Sequence, residues 1–167
     1  RACYPGVEGL PDMPAFGMEF QMKKELDRFR YYGFGPEENY CDRRAGARLS
    51  VFTGTLGDNL TPYLMPQECG NRTGIRWLRV FSAEKSCGVI FEAEGRPFEA
   101  GVLPYSAREL ENAAHAEELA KPCHTWVRIL YGQEGVGGDD SWGAPVHEAF
   151  RMPAEERREL AFRIRPI

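Results

Sequence analysis

Two adjacent carboxylates, Asp139 and Asp140, followed by Trp142, are the first residues of this sequence whose types suggest chemistry. They lie in the run Gly135-Val-Gly-Gly-Asp-Asp-Ser-Trp-Gly143. Paired carboxylates can cleave a glycosidic bond, but only from opposite sides of it, roughly 5 to 10 Å apart. Sequence neighbours on an extended loop point away from each other. Asp139 and Asp140 therefore read as loop anchors, together with Gly137, Gly138 and Ser141, with the aspartates accepting backbone N–H groups as they do in turns. Trp142 reads either as a turn-packing ring or as an exposed platform for the apolar face of a sugar. A large amphipathic ring with few rotors suits recognition.

Other polar clusters are read as structural. In Gly33-Phe-Gly-Pro-Glu-Glu-Asn-Tyr-Cys-Asp-Arg-Arg44, the residues Glu38, Asn39, Asp42 and Arg43 predict a buried hydrogen-bonded network. In Tyr63-Leu-Met-Pro-Gln-Glu-Cys-Gly-Asn-Arg-Thr-Gly-Ile-Arg-Trp77, Glu68 and Arg72 predict loop anchoring. Asn59-Leu-Thr61 and Asn71-Arg-Thr73 match a glycosylation sequon. The five cysteines are odd in number and lack CxxC spacing, so they read as free thiols of a reducing, cytoplasmic compartment, which discounts both sequons. Cys123 and His124 lack the paired spacing of a zinc site. His115 and His124 have no nucleophile in a recognisable context and read as structural. A phosphate loop and a dinucleotide fingerprint are both missing. The net charge of -4 argues against a nucleic-acid partner, and no apolar run is long enough to span a bilayer.

These residues need elements to position them. Runs with strand character cover 16–22, 29–32, 49–53, 75–81, 89–93, 125–131, 146–151 and 160–164. Several alternate with period two, as in Phe16-Gly-Met18-Glu-Phe20-Gln-Met22, the mark of a strand with one buried face. Many short strands between Gly and Pro turns predict an all-β sandwich or barrel. One helix is signalled by the capping box Ser106-Ala-Arg-Glu109, with Leu110, Ala113 and Ala114 as its apolar stripe. A second helical turn is expected over 152–158, with Pro153 in its first turn. The chain reads as one domain over 1–167. Its start at Arg1, not Met, reads as a cut inside a longer protein.

Taken in order, four segments carry a resemblance. They are Gly35-Pro-Glu-Glu-Asn-Tyr-Cys-Asp-Arg43, Pro66-Gln-Glu-Cys-Gly-Asn-Arg72 with Arg76-Trp77, Pro104-Tyr-Ser with Glu109-Leu110, and Gly137-Gly-Asp-Asp-Ser-Trp142. Together, over about 14–162, they resemble the C-terminal, or small-chain, domain of the bacterial β-galactosidases of glycoside hydrolase family 2. The resemblance implies an antiparallel β-supersandwich, galactose mutarotase-like, with one or two short helices. It implies a domain of a retaining enzyme that hydrolyses terminal β-galactosides, whose two catalytic glutamates lie in a TIM barrel outside this chain. Trp142 then matches the tryptophan over the active-site mouth that stacks on the aglycone, the glucose of lactose. The isolated domain is expected to be inactive and to dock on that barrel in an oligomeric enzyme. No cofactor is expected within this domain, and magnesium and sodium are left to the full enzyme. Cys41 stands where the family usually has Pro, Cys69 where it often has Asn, and Gly74 where a polar residue is common. A stand-alone carbohydrate-binding module and a mutarotase-like epimerase are the alternatives.

Overall fold

The computed structural model describes residues 1–167. Alternation in the sequence becomes 11 strands, nine of them in a two-sheet antiparallel sandwich. One sheet has five strands in the order β11 (Phe162–Pro166), β7 (Gly88–Ala93), β6 (Trp77–Phe81), β3 (Arg28–Gly35) and β4 (Arg48–Thr55). The other has four, in the order β2 (Ala15–Lys23), β9 (His124–Gln133), β8 (Phe98–Leu103) and β5 (Arg72–Ile75). A small ladder joins β1 (Ala2–Tyr4) to β10 (Arg158–Leu160).

The core is where the inner faces meet. Phe29 and Tyr31 of β3, Leu78 and Val80 of β6 and Phe91 of β7 face Phe98 and Val102 of β8 and Val127 and Ile129 of β9. Phe91, Val80, Val127 and Ile129 are fully buried. Each such side chain contributes about 1.5–3 kcal/mol relative to exposure, before entropy is counted. On β2 the inward row Phe16, Phe20 and Met22 packs on this core while Glu19, Gln21 and Lys23 face solvent.

The outer faces of the two sheets differ. The four-stranded sheet is covered from within the chain. The segment leading to β5 brings Cys69 onto Leu103 of β8, and the helix α2 (Ala107–Asn112) adds Leu110. Ser106 caps α2, accepting from the Glu109 N–H while Glu109 accepts from the Ser106 N–H. Of the expected stripe, Leu110 and Ala113 are buried and Ala114 is exposed. The outer face of the five-stranded sheet has no such cover.

Some sequence expectations differ from the structure. The run 146–151 is not a strand: it holds a single 3-10 turn, Glu148–Phe150, on the return leg of the Gly-rich loop. Residues 152–158 form no helix; Pro153 instead opens a turn closed by the Glu156 N–H on its carbonyl. The run 160–164 is two strands, β10 and β11, because Leu160 pairs with Ala2 and Phe162 with Ala93. The run 75–81 likewise divides into β5 and β6, which lie in different sheets. A one-turn helix, α1 (Leu56–Asn59), is capped by Thr55.

Candidate functional site

Three loops meet at one end of the sandwich: the one after β3, the one before β5 and the one after β9. Their polar residues are what tie them together. Glu38 is the hub of the first two. Its carboxylate accepts from the Gly70 N–H at 2.7 Å, the Tyr63 hydroxyl at 2.9 Å and the Thr61 hydroxyl at 3.0 Å. It also pairs with Arg43, whose guanidinium lies over the Tyr40 ring. Burial works to raise the Glu38 carboxyl, but these donors outweigh it and hold the group below its ordinary value.

Asn39 does the same with neutral groups. Its Nδ2 donates to the Phe34 and Glu37 carbonyls, and its Oδ1 accepts from the Thr73 N–H and hydroxyl. Asn71 donates to the Asn39 carbonyl at 3.1 Å and to Glu99 at 3.0 Å. Burial pushes the Glu99 carboxyl up to about 7, a rise that the Asn71 bond opposes. Arg72 is buried and donates from Nε to the Tyr31 hydroxyl and the Pro36 carbonyl. Glu68 pairs with Arg128 of β9 and pins the cover segment to the four-stranded sheet. Asn59 and Asn71, the two sequon asparagines, are both buried, and Asn59 donates to the Gly70 and Val102 carbonyls.

Asp42 joins this scaffold to the Gly-rich loop. Its Oδ2 accepts from the Gly137 N–H at 2.8 Å. A side chain at Gly135 would place its Cβ 2.5 Å from that same oxygen, so the approach requires glycine there. Gly137 and Gly138 then take φ of 67° and 102°, which turns the chain outward.

At the tip the two aspartates go separate ways. Asp140 Oδ1 accepts from the Trp142 N–H at 2.8 Å and the Ala144 N–H at 3.1 Å, and these bonds hold its carboxyl below the usual range. Asp139 Oδ2 meets His147 Nε2 at 2.5 Å, closing the base of the loop. Between these ties Ser141 is exposed, and the Trp142 ring is 92% exposed. His147 is the residue that sequence reasoning passed over. Its only signal is position, on the return leg after Pro145. The Trp142 ring stands outside the recesses of this end, one of about 410 Å³ along Gly35–Ala47 and another of about 710 Å³ bounded by Asp12, Glu134 and His147.

The cysteines are all free thiols, and Cys41 donates weakly to the Gln133 carbonyl. Cys123 Sγ touches His124 Nδ1 at 3.0 Å on the surface, and His115 is likewise exposed. No three His, Cys, Asp or Glu side chains gather as a set of metal ligands. No helix is long and apolar enough to cross a membrane.

The sequence matches the family described as "Beta galactosidase small chain" over residues 3–164. It is 46% identical over 161 residues to the β-galactosidase BgaC of Bifidobacterium adolescentis, covering 94% of this chain and 15% of that protein. It is 45% identical over 166 residues to the β-galactosidase of Lactobacillus delbrueckii subsp. bulgaricus, covering 99% of this chain and 16% of that protein. It is 38% identical over 170 residues to the β-galactosidase small subunit of Latilactobacillus sakei, covering 96% of this chain and 53% of that subunit.

Proposed function

The chain belongs to the β-galactosidase small-chain family, and on that premise we propose that it supplies one wall of the mouth of a β-galactosidase active site. The rest of that enzyme, with its catalytic carboxylates in a TIM barrel, lies outside these residues. The enzyme's reaction is hydrolysis of terminal β-galactosides by the retaining two-carboxylate route. Within this chain Trp142 is the recognition element: its ring stacks on the leaving-group or acceptor sugar and does not take part in bond breaking. The observation that carries this reading is the exposed ring, held at the tip of a loop tied down at three points by Asp42, Asp140 and the Asp139–His147 contact. Asp140 spends one carboxylate oxygen on the backbone N–H groups of Trp142 and Ala144, which marks it as an organiser of the loop tip. No step of this role passes through a metal bound by this chain, and any magnesium or sodium is assigned to the rest of the enzyme.

Trp142→Ala in the complete enzyme tests the reading. Loss of ring-on-sugar contact weakens glucose as an acceptor by roughly 1–2 kcal/mol, about 5- to 30-fold. Inhibition by galactose stays within about twofold, since galactose sits in the barrel. Equal losses for glucose and galactose would rule out an aglycone platform. Tight lactose binding by the isolated chain in calorimetry would favour a free-standing binding module instead.

A further inference from the structure

The uncovered outer face of the five-stranded sheet is built like a protein interface. The strand registers place Arg30 of β3 directly opposite Arg79 of β6, both exposed. Like charges in register repel across a sheet. Neighbouring arginines have carboxylates: Arg165 is held by both oxygens of Glu92 at 2.8 Å, and Arg163 by Glu94 at 2.8 Å. Arg30 and Arg79 have none among the ion pairs of the chain, in a protein of net charge -4. Two residues along, on the same face, Tyr32 and Trp77 lie side by side and remain partly exposed, with Val51 beyond them at 41% exposure. Trp, Tyr and Arg beside an aliphatic edge, with no lysine, is the composition of a binding hot spot. The opposite sheet shows what this chain does with an outer face that it covers itself: Cys69, Leu103 and Leu110 are buried there.

We propose that this face docks onto another part of the same β-galactosidase, whose surface brings carboxylates to Arg30 and Arg79 and apolar side chains to Trp77, Tyr32 and Val51. Charge complementarity names the chemistry of the occupant. Length points to its source, because the L. sakei small subunit and the B. adolescentis enzyme both extend well beyond the segment this chain matches. The inference rests on the reading that the chain works inside a longer enzyme; it does not rest on Trp142.

The test uses the complete β-galactosidase that contains this chain. A photo-reactive benzoylphenylalanine replaces Thr53, which is exposed in the same row as Arg30. Irradiation and peptide mapping are expected to give a cross-link to enzyme residues outside 1–167. Cross-links to a second copy of 1–167 only, or none at all, would overturn the proposal. The paired variant Arg30→Gln with Arg79→Gln gives a test of sign. On a docked face it removes two partnered arginines and speeds heat inactivation about tenfold. On a free face it relieves repulsion, so inactivation that is unchanged or slower overturns the proposal. An enzyme without galactosidase activity that still cross-links defeats the functional reading alone. An active enzyme whose Thr53 probe finds no partner defeats the docking face alone.

Discussion

Glu38→Ala should destabilise the fold by about 2–5 kcal/mol at neutral pH. The side chain is 12% exposed and its carboxylate serves three donors from the loop before β5. The Gly70 N–H is buried and bonds to Glu38, so loss of that acceptor is the loss of a buried donor's partner, about 1–3 kcal/mol. The Thr61 and Tyr63 hydroxyls are partly exposed and can turn to water, so together they add about 1 kcal/mol. Arg43 sits half in solvent, and its pair with Glu38 contributes about 0–1 kcal/mol. Alanine leaves each of these donors without its carboxylate acceptor. Urea denaturation followed by circular dichroism measures the difference. Its pH dependence is fixed by sign. The folded value of Glu38 lies below its unfolded one, so the unfolded chain binds the proton more readily. The stabilisation is complete above about pH 4.3 and is lost as pH falls through the folded value. The gap between wild type and Glu38→Ala must therefore narrow in acid. A difference below about 0.5 kcal/mol at neutral pH, or one that persists unchanged into strong acid, would refute the hub assignment.

Two further outcomes follow from the same end of the sandwich. Asp42→Ala removes the bond to the Gly137 N–H and should weaken glucose as an acceptor about five- to tenfold, with galactose inhibition unmoved, while Asp42→Asn keeps most of the affinity because its amide oxygen can accept. Inhibition kinetics on the complete enzyme decide this, and a matching loss for galactose would mean that the tether does more than hold the loop. Glu99 titrates in the opposite sense to Glu38: its folded value, about 7, lies above its unfolded one, so the native state holds the proton longer and stability declines as pH climbs from about 4.3 past 7. Glu99→Gln should thus gain on wild type in alkaline urea denaturation and match it near pH 4; a variant no better at high pH would count against the buried-acid account.

Legibility tracked how local each signal was. β2 was readable because Phe16, Phe20 and Met22 alternate with polar residues that face water. β8 was not, since both of its faces are buried: Phe98, Ala100 and Val102 enter the core while Gly101 and Leu103 lie under the cover segment, so no alternation survives. The 146–151 run misled for the opposite reason. Its spacing of apolar residues resembles a strand, but no neighbouring strand offers a ladder, and the backbone folds back on itself. At the site, the polar character of Glu38, Asn39 and Arg72 was evident in the sequence, yet their partners were not. Thr61, Tyr63 and Gly70 are 23 to 32 residues from Glu38, and only the fold brings them to it. The Gly-rich loop showed its special backbone through its glycines, but the contact of Asp139 with His147 across eight residues of irregular chain left no periodic trace.

The way the Gly-rich loop is fastened has a bearing on how this chain can diverge. Asp42, Gly135 and Gly137 fix the stem, whereas Asp140 organises the tip using only backbone N–H groups of residues 142 and 144. The tip's fastening is thus blind to which side chain follows Ser141. Exchange of the ring at 142 leaves the sandwich untouched, so, on the proposed role of Trp142, drift at that one position alters sugar preference without a compensating change elsewhere. Variation at the stem has no such freedom.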